Sequence, residues 1–296
     1  MYEGIRSPAV HLPKTMSDLV SVATRFPNAT FWAGGTFLMS RHDYYPTRDS
    51  NDIISLSEVP DLGRINRTDR YLEIGSMVTF EDMLKVGKQV LPGLLQETLE
   101  RTATRIVRRH ITMGGALCTE GIRLALPGTL VSLQAEVEVK TCLGPKTETK
   151  WLDLHRLYDK LGVLQLKKNE LITRIRLGFE RENFSYFITA GNPMLNPQET
   201  VFLSFACSYN QSVIQKFSMC LTFPTSLILV PKEIDMMMQG TLLPLTSQQI
   251  SRVVRNVMEE ILSASPQEYP PMQIERARGF VESAMHELNA QSLSER

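Results

Sequence analysis

Residues 29–38 read Ala-Thr-Phe-Trp-Ala-Gly-Gly-Thr-Phe-Leu. Ala29–Trp32 is a short run of strand character that ends on Gly34-Gly35. A Gly-Gly pair lets the backbone bend so that successive N–H groups point into one concavity, which binds phosphate oxygens without a charged side chain. A second pair lies in residues 107–116, Val-Arg-Arg-His-Ile-Thr-Met-Gly-Gly-Ala. Two such loops facing each other would hold a pyrophosphate, with Thr36 and Thr112 adding hydroxyl donors. Either pair taken alone reads as a plain turn. Neither is a GxGxxG or a GxxxxGK[ST], which argues against dinucleotide-fold and P-loop readings.

Outward from the first loop, Thr15-Met16-Ser17-Asp18 caps a helix with apolar Leu19, Val20, Val22, Ala23 and Phe26. Asp52–Leu56 is the next strand. Pro60–Gly63 is a turn, Tyr71–Ser76 a strand, and Thr79-Phe80-Glu81-Asp82 opens a second capped helix. Leu91–Val107 reads as one helix with a basic end at Arg101, Arg105, Arg108, Arg109 and His110, which complements the helix dipole; Arg105, Arg108 and Arg109 are otherwise candidates to meet phosphate or a partner's acidic patch. Thr129–Gln134 continues as helix and Glu136–Thr141 alternates as a strand. Gly144–Thr149 reads as a hairpin loop, Trp151–Tyr158 as a helical piece and Glu170–Leu177 as a strand. Val201–Tyr209 and Phe217–Phe223 pair around a turn at Asn210-Gln211. Thr246–Gln249 caps a helix, and another runs over Pro271–Leu288. The order predicts an α+β chain with boundaries near residues 56 and 180, giving segments 1–56, 57–179 and 180–296.

The composition narrows the function classes. The chain has 296 residues, 43% of them hydrophobic, with 32 basic against 32 acidic side chains. That balance gives no overall electrostatic reason to bind nucleic acid or an anionic membrane. The N-terminus lacks a basic segment followed by an apolar one, and the longest apolar stretch, about Met219–Val230, is too short to span a bilayer. The expectation is a soluble cytoplasmic chain. Cys118, Cys142, Cys207 and Cys220 lack metal-ligand or iron–sulfur spacing and read as small buried hydrophobes. The histidines are scattered and form no catalytic or metal cluster. Thr119, Glu120 and Arg123 follow the second loop as further contact candidates or as a solvated loop. Asp43, Tyr44 and Tyr45 follow the first as packing residues. Met236-Met237-Met238 reads as core or partner surface.

Several motifs in order carry a resemblance. AGGTFL (Ala33–Leu38), IISLSEVPDLGRI (Ile53–Ile65), IGSMVTFEDML (Ile74–Leu84), VRRHITMGGA (Val107–Ala116) and ELI (Glu170–Ile172) resemble the FAD-binding medium subunit of the molybdenum hydroxylases, the xanthine dehydrogenase and carbon monoxide dehydrogenase relatives. The resemblance covers nearly the whole chain. It implies a two-subdomain FAD-binding fold of the PCMH type followed by a small C-terminal α+β domain. It implies FAD as cofactor, contacted by Ala33, Gly34, Gly35, Thr36, Thr112, Gly114, Gly115 and Ala116, and no metal or catalytic residue of its own. The implied role is an oxidoreductase subunit. Electrons would pass from a molybdopterin-binding large subunit through a two-iron, two-sulfur small subunit to flavin, then to NAD⁺ or another acceptor. The chain departs from the family pattern at Phe37, Arg109, Ala116 and Ala125, where polar Asp or Asn is usual. Those departures carry the alternative expectation: a degenerate, non-FAD-binding structural or assembly subunit of the same complex.

Overall fold

The computed structural model describes residues 8–41, 52–87, 89–119, 121–142, 147–159, 162–179, 182–224, 228–229, 232–264 and 269–295. The shortest of its three sheets is parallel: β1 (Val10–His11), β2 (Thr30–Trp32) and β3 (Ile53–Ser55) lie in the order β1-β3-β2. β1 spans two residues, too few for a readable alternation. Helix α1 (Met16–Arg25) is capped as its sequence predicts, with the Asp18 N–H donating to Thr15 Oγ1 at 3.1 Å. Its Leu19 and Ala23 pack with Ile54, Leu56, Val59 and Leu62 in a small core. A five-residue helix, α2 (Thr36–Ser40), follows the first glycine pair.

The second sheet is antiparallel, ordered β4-β5-β8-β6-β7. Its strands are β4 (Ile65–Arg67), β5 (Tyr71–Gly75), β6 (Glu136–Thr141), β7 (Thr149–Asp153) and β8 (Glu170–Gly178). Val137, Val139, Ile175 and Leu177 enter the core. Glu136, Glu138, Arg174 and Arg176 carry the other face, where Arg174 bridges Glu73 at 3.2 Å and Glu138 at 2.9 Å. Trp151 lies in this sheet rather than in a helix. Its ring sits 4.2 Å from the Arg176 guanidinium, and Leu154–Leu157 form only a 3-10 turn. The cross-strand partner, Glu138, is remote in sequence and gave no local signal. Part of the hairpin loop at 144–149 lies outside the described residues.

The long basic-ended helix is broken. After α3 (Phe80–Lys85) come α4 (Gly93–Thr102) and the separate turn α5 (Arg105–Arg108), divided by extended backbone at Ala103 and Thr104. The break is stabilised because Arg108 Nη1 donates to the carbonyls of Glu100 at 2.7 Å and Ala103 at 2.9 Å, satisfying groups that a helix end leaves bare. Then α6 (Met113–Leu117) precedes α7 (Ala125–Ser132), in which every residue is buried.

The third sheet is antiparallel, ordered β12-β11-β10-β9, from β9 (Phe184–Ala190), β10 (Val201–Asn210), β11 (Val213–Thr222) and β12 (Ile228–Leu229). The β10–β11 turn is Gln211-Ser212, one residue later than expected, with both residues at positive φ (48° and 63°), the twist that short hairpins favour. One face packs on α8 (Lys232–Met238), α9 (Ser247–Ala264) and α10 (Pro271–Ser294). The opposite face places Phe187, Phe202, Ala206 and Cys220 against the core that holds α4 and α7. A buried hydroxyl chain runs across this layer, Thr98 to Thr129 and Thr129 to Ser204, each at 2.8 Å. Cys142, Cys207 and Cys220 are buried as expected, whereas Cys118 is half-exposed; none of the four is in a disulfide. Met238 fills the third core and Met236 is exposed.

Asp235 in α8 gives a pH-dependent prediction. Its Oδ1 is buried without a partner. Burial pushes the carboxyl up to about 7, with Lys232 opposing and Glu233 reinforcing the shift. The folded state therefore keeps a proton that the unfolded chain releases near pH 4, and stability falls as pH rises from there through about 7. Partial exposure limits the effect, so Asp235→Asn should gain about 1–2 kcal/mol at about pH 8 and clearly less at about pH 5. Urea unfolding at both pH values reads it; an equal gain at both would contradict it.

Candidate functional site

The two glycine loops meet. The first, Ala33–Thr36, leaves the end of β2 and turns into α2. Gly35 has φ +70°, and a Cβ there would lie 2.2 Å from the Trp32 ring. Glycine is required on both counts. A Cβ on Gly34 would lie 1.6 Å from the carbonyl oxygen of His110, which immediately precedes the second loop. A Cβ on Gly115 would lie at ordinary contact distance, 3.6 Å, from Cβ of Ala33, and its tight neighbour is Thr112 Oγ1 at 2.7 Å within its own loop. The close approach of the two loops therefore rests on Gly34.

A third segment holds the second loop in place. Ser76–Thr79 follows β5, and Thr79 bridges Thr112 in antiparallel fashion. Phe80 N–H donates to the Ile111 carbonyl at 2.9 Å, Met113 N–H to Val78 at 2.9 Å and Gly114 N–H to Ser76 at 2.8 Å. The Gly115 N–H donates to Thr112 Oγ1 at 3.1 Å, and the Ala116 N–H to the Thr112 carbonyl at 3.0 Å. The amides of Met113 to Ala116 are thus all engaged within the protein. Gly114 and Gly115 act here as spacers that permit close packing, and Thr112 caps α6. The free donors lie on the first loop. Among the described residues, no acceptor takes up the amides of Gly35, Thr36 and Phe37, nor the Thr36 hydroxyl.

The departures from the family pattern fall in two environments. Ala116 and Ala125 are buried in the core beside Leu117 and Leu126, where no polar group is presented. Phe37 is half-buried under Arg41, and Arg109 is exposed. Arg105 and Arg108 converge on Glu81, at 2.8 and 3.6 Å. The Arg105 hydrogen bond holds the Glu81 carboxyl below its usual range. Glu81 is the residue that local reading missed. It appeared as one acidic position in a cap, and its partners lie more than a helix away in sequence.

Thr119 and Arg123 are neither solvated nor open to a ligand. Both are buried, Arg123 Nε donating to the Gly162 carbonyl at 2.7 Å and its guanidinium lying 4.9 Å from the Tyr158 ring. Burial raises the Tyr158 hydroxyl well above its ordinary value, and that hydroxyl donates to the Leu117 carbonyl at 2.8 Å. These contacts fix the chain leaving the second loop. Glu120, Asp43, Tyr44 and Tyr45 lie outside the described residues. Among the described residues no cluster of three or more His, Cys, Asp or Glu could hold a metal, and no helix is long and apolar enough to cross a membrane.

Comparison with known proteins gives a consistent picture. The family described as the FAD binding domain in molybdopterin dehydrogenase matches residues 5–178. Xanthine dehydrogenase 2 of Arabidopsis thaliana is 22% identical over 183 residues, which is 57% of this chain and 13% of that protein. The chain thus spans a small part of this curated relative. Among solved structures, quinoline 2-oxidoreductase from Pseudomonas putida 86 superposes with a TM-score of 0.78 at 15% identity, covering 97% of this chain and 98% of that one. CO dehydrogenase from Oligotropha carboxidovorans superposes with a TM-score of 0.79 at 18% identity, covering 98% and 99%. At such identities the superpositions establish the fold.

Proposed function

The chain belongs to the family of FAD-binding domains in molybdopterin dehydrogenases, and from that premise we propose that the junction of its two glycine loops seats the FAD diphosphate. The observation that carries this reading is the apposition of Gly34 and His110, with amides at Gly35, Thr36 and Phe37 beside it that find no acceptor among the described residues. Successive neutral N–H donors at a glycine turn suit phosphate oxygens. Ala33 and Gly34 set the spacing. Gly35 to Phe37 and the Thr36 hydroxyl donate. Thr112, Gly114, Gly115 and Ala116 hold the opposite wall. Glu81 and Arg108 anchor the helices that carry that wall.

FAD, when bound, supplies two-electron redox chemistry, and the protein contributes position and electrostatics. The fuller role follows from the resemblance. The chain would take electrons from iron–sulfur clusters of a small subunit, fed by a molybdopterin-binding large subunit, and deliver them to NAD⁺ or another acceptor. A second reading, a structural subunit without flavin, draws on the buried Ala116 and Ala125, which offer no polar contact.

A tagged chain purified from its own cells tests both. Molybdenum, iron and FAD together in one complex are the expected result. Metals without flavin would favour the structural subunit, and flavin without metals would contradict the partner assignment.

A further inference from the structure

We propose that Arg109 is the cation that ion-pairs with the FAD diphosphate at the loop junction. This rests on reading that junction as the FAD site. Three arginines lie between Arg105 and His110, and the structure separates them. Arg105 is tied to Glu81 by its Nε. Arg108 is half-buried, paired with the same carboxylate and donating to the carbonyls of Glu100 and Ala103. Arg109, the C-cap residue of α5, is exposed, and among the described residues its side chain has no ion pair or hydrogen bond.

Its position gives that free charge a target. Arg109 is one peptide from His110, whose carbonyl oxygen meets Gly34. Neighbouring Cα atoms are about 3.8 Å apart, so the guanidinium is tethered within a side chain's length of the first loop. The first loop itself offers only neutral donors through Met39. Its nearest following cation, Arg41, lies over the Phe37 ring at 5.4 Å. Neutral amides alone leave the charge of a diphosphate incompletely balanced, and a guanidinium supplies both charge and a two-pronged donor set. The residue that departs from the family pattern thus adds an anion contact.

The test is FAD affinity of the full chain at low and high salt, for wild type, Arg109→Ala, Arg109→Lys and Arg105→Ala. Circular dichroism checks folding. Arg109→Ala should bind FAD about tenfold more weakly at low ionic strength, with the gap narrowing at about 0.5 M salt. Arg109→Lys should keep the salt dependence with part of the affinity, and Arg105→Ala should stay within about twofold of wild type. An Arg109→Ala affinity within about twofold of wild type at both salts would overturn the proposal. So would an equal loss in Arg105→Ala, or a loss that ignores salt. If wild type itself binds no FAD, the reading of the junction fails. If wild type binds and Arg109→Ala matches it, the role of Arg109 alone fails.

Discussion

Replacing Gly34 by valine is expected to weaken FAD binding by at least about a hundredfold. A Cβ at this position would lie 1.6 Å from the His110 carbonyl oxygen and 2.8 Å from its carbon. Those are backbone atoms and cannot rotate aside, so the loops must separate by more than an ångström. The separation pulls the first-loop amides away from the wall made by Thr112–Ala116, and the donors no longer converge on one anion. Gly63→Ala is the control, because nothing lies within 4 Å of its added Cβ. It should leave affinity unchanged. Flavin fluorescence titration of both variants, each shown to be folded, reads the difference. A Gly34→Val chain that binds FAD within about threefold of wild type would mean the cofactor sits elsewhere.

Phe205→Ala should cost about 3–5 kcal/mol of stability. Phe205 is fully buried in the third core, with ring centroids 5.4 Å from Phe184 and 4.7 Å from Phe217. Its removal empties the contact between β10 and the helices α8–α10. Its neighbour Ser204 faces the opposite way and bonds to Thr129 in α7, so β10 couples the two cores through alternate residues. A loss of this size is a large share of a typical domain's stability. Denaturant unfolding would show a lower midpoint; a loss below about 1 kcal/mol would contradict the packing described.

Much of this fold could be read locally. The caps at Thr15, Thr79 and Thr246 are present with the partners their spacing predicts. The strands with clean alternation, such as Glu136–Thr141, lie where the pattern puts them. The misreadings share a cause: the deciding contact was remote in sequence. Trp151 reads as helical until Glu138 is placed opposite it. The 91–107 helix reads as continuous until Arg108 caps the end of α4.

The candidate site was legible in part. The two glycine pairs marked the positions where backbone must approach closely, and their order carried the family resemblance. The sequence could not show that Ser76 and Val78 take up the second loop's amides. It therefore offered two equivalent nests, where the structure leaves, among the described residues, one loop with free donors. Nor could it tell Arg109 from Arg105 and Arg108, since what distinguishes them is Glu81 together with the carbonyls of Glu100 and Ala103.

The most direct measurement is an equilibrium titration of the isolated wild-type chain with FAD, followed by gel filtration and an absorption spectrum. The account predicts saturable binding, with flavin bands travelling with the protein. A folded, colourless chain that takes up no FAD at about 10 μM would contradict it.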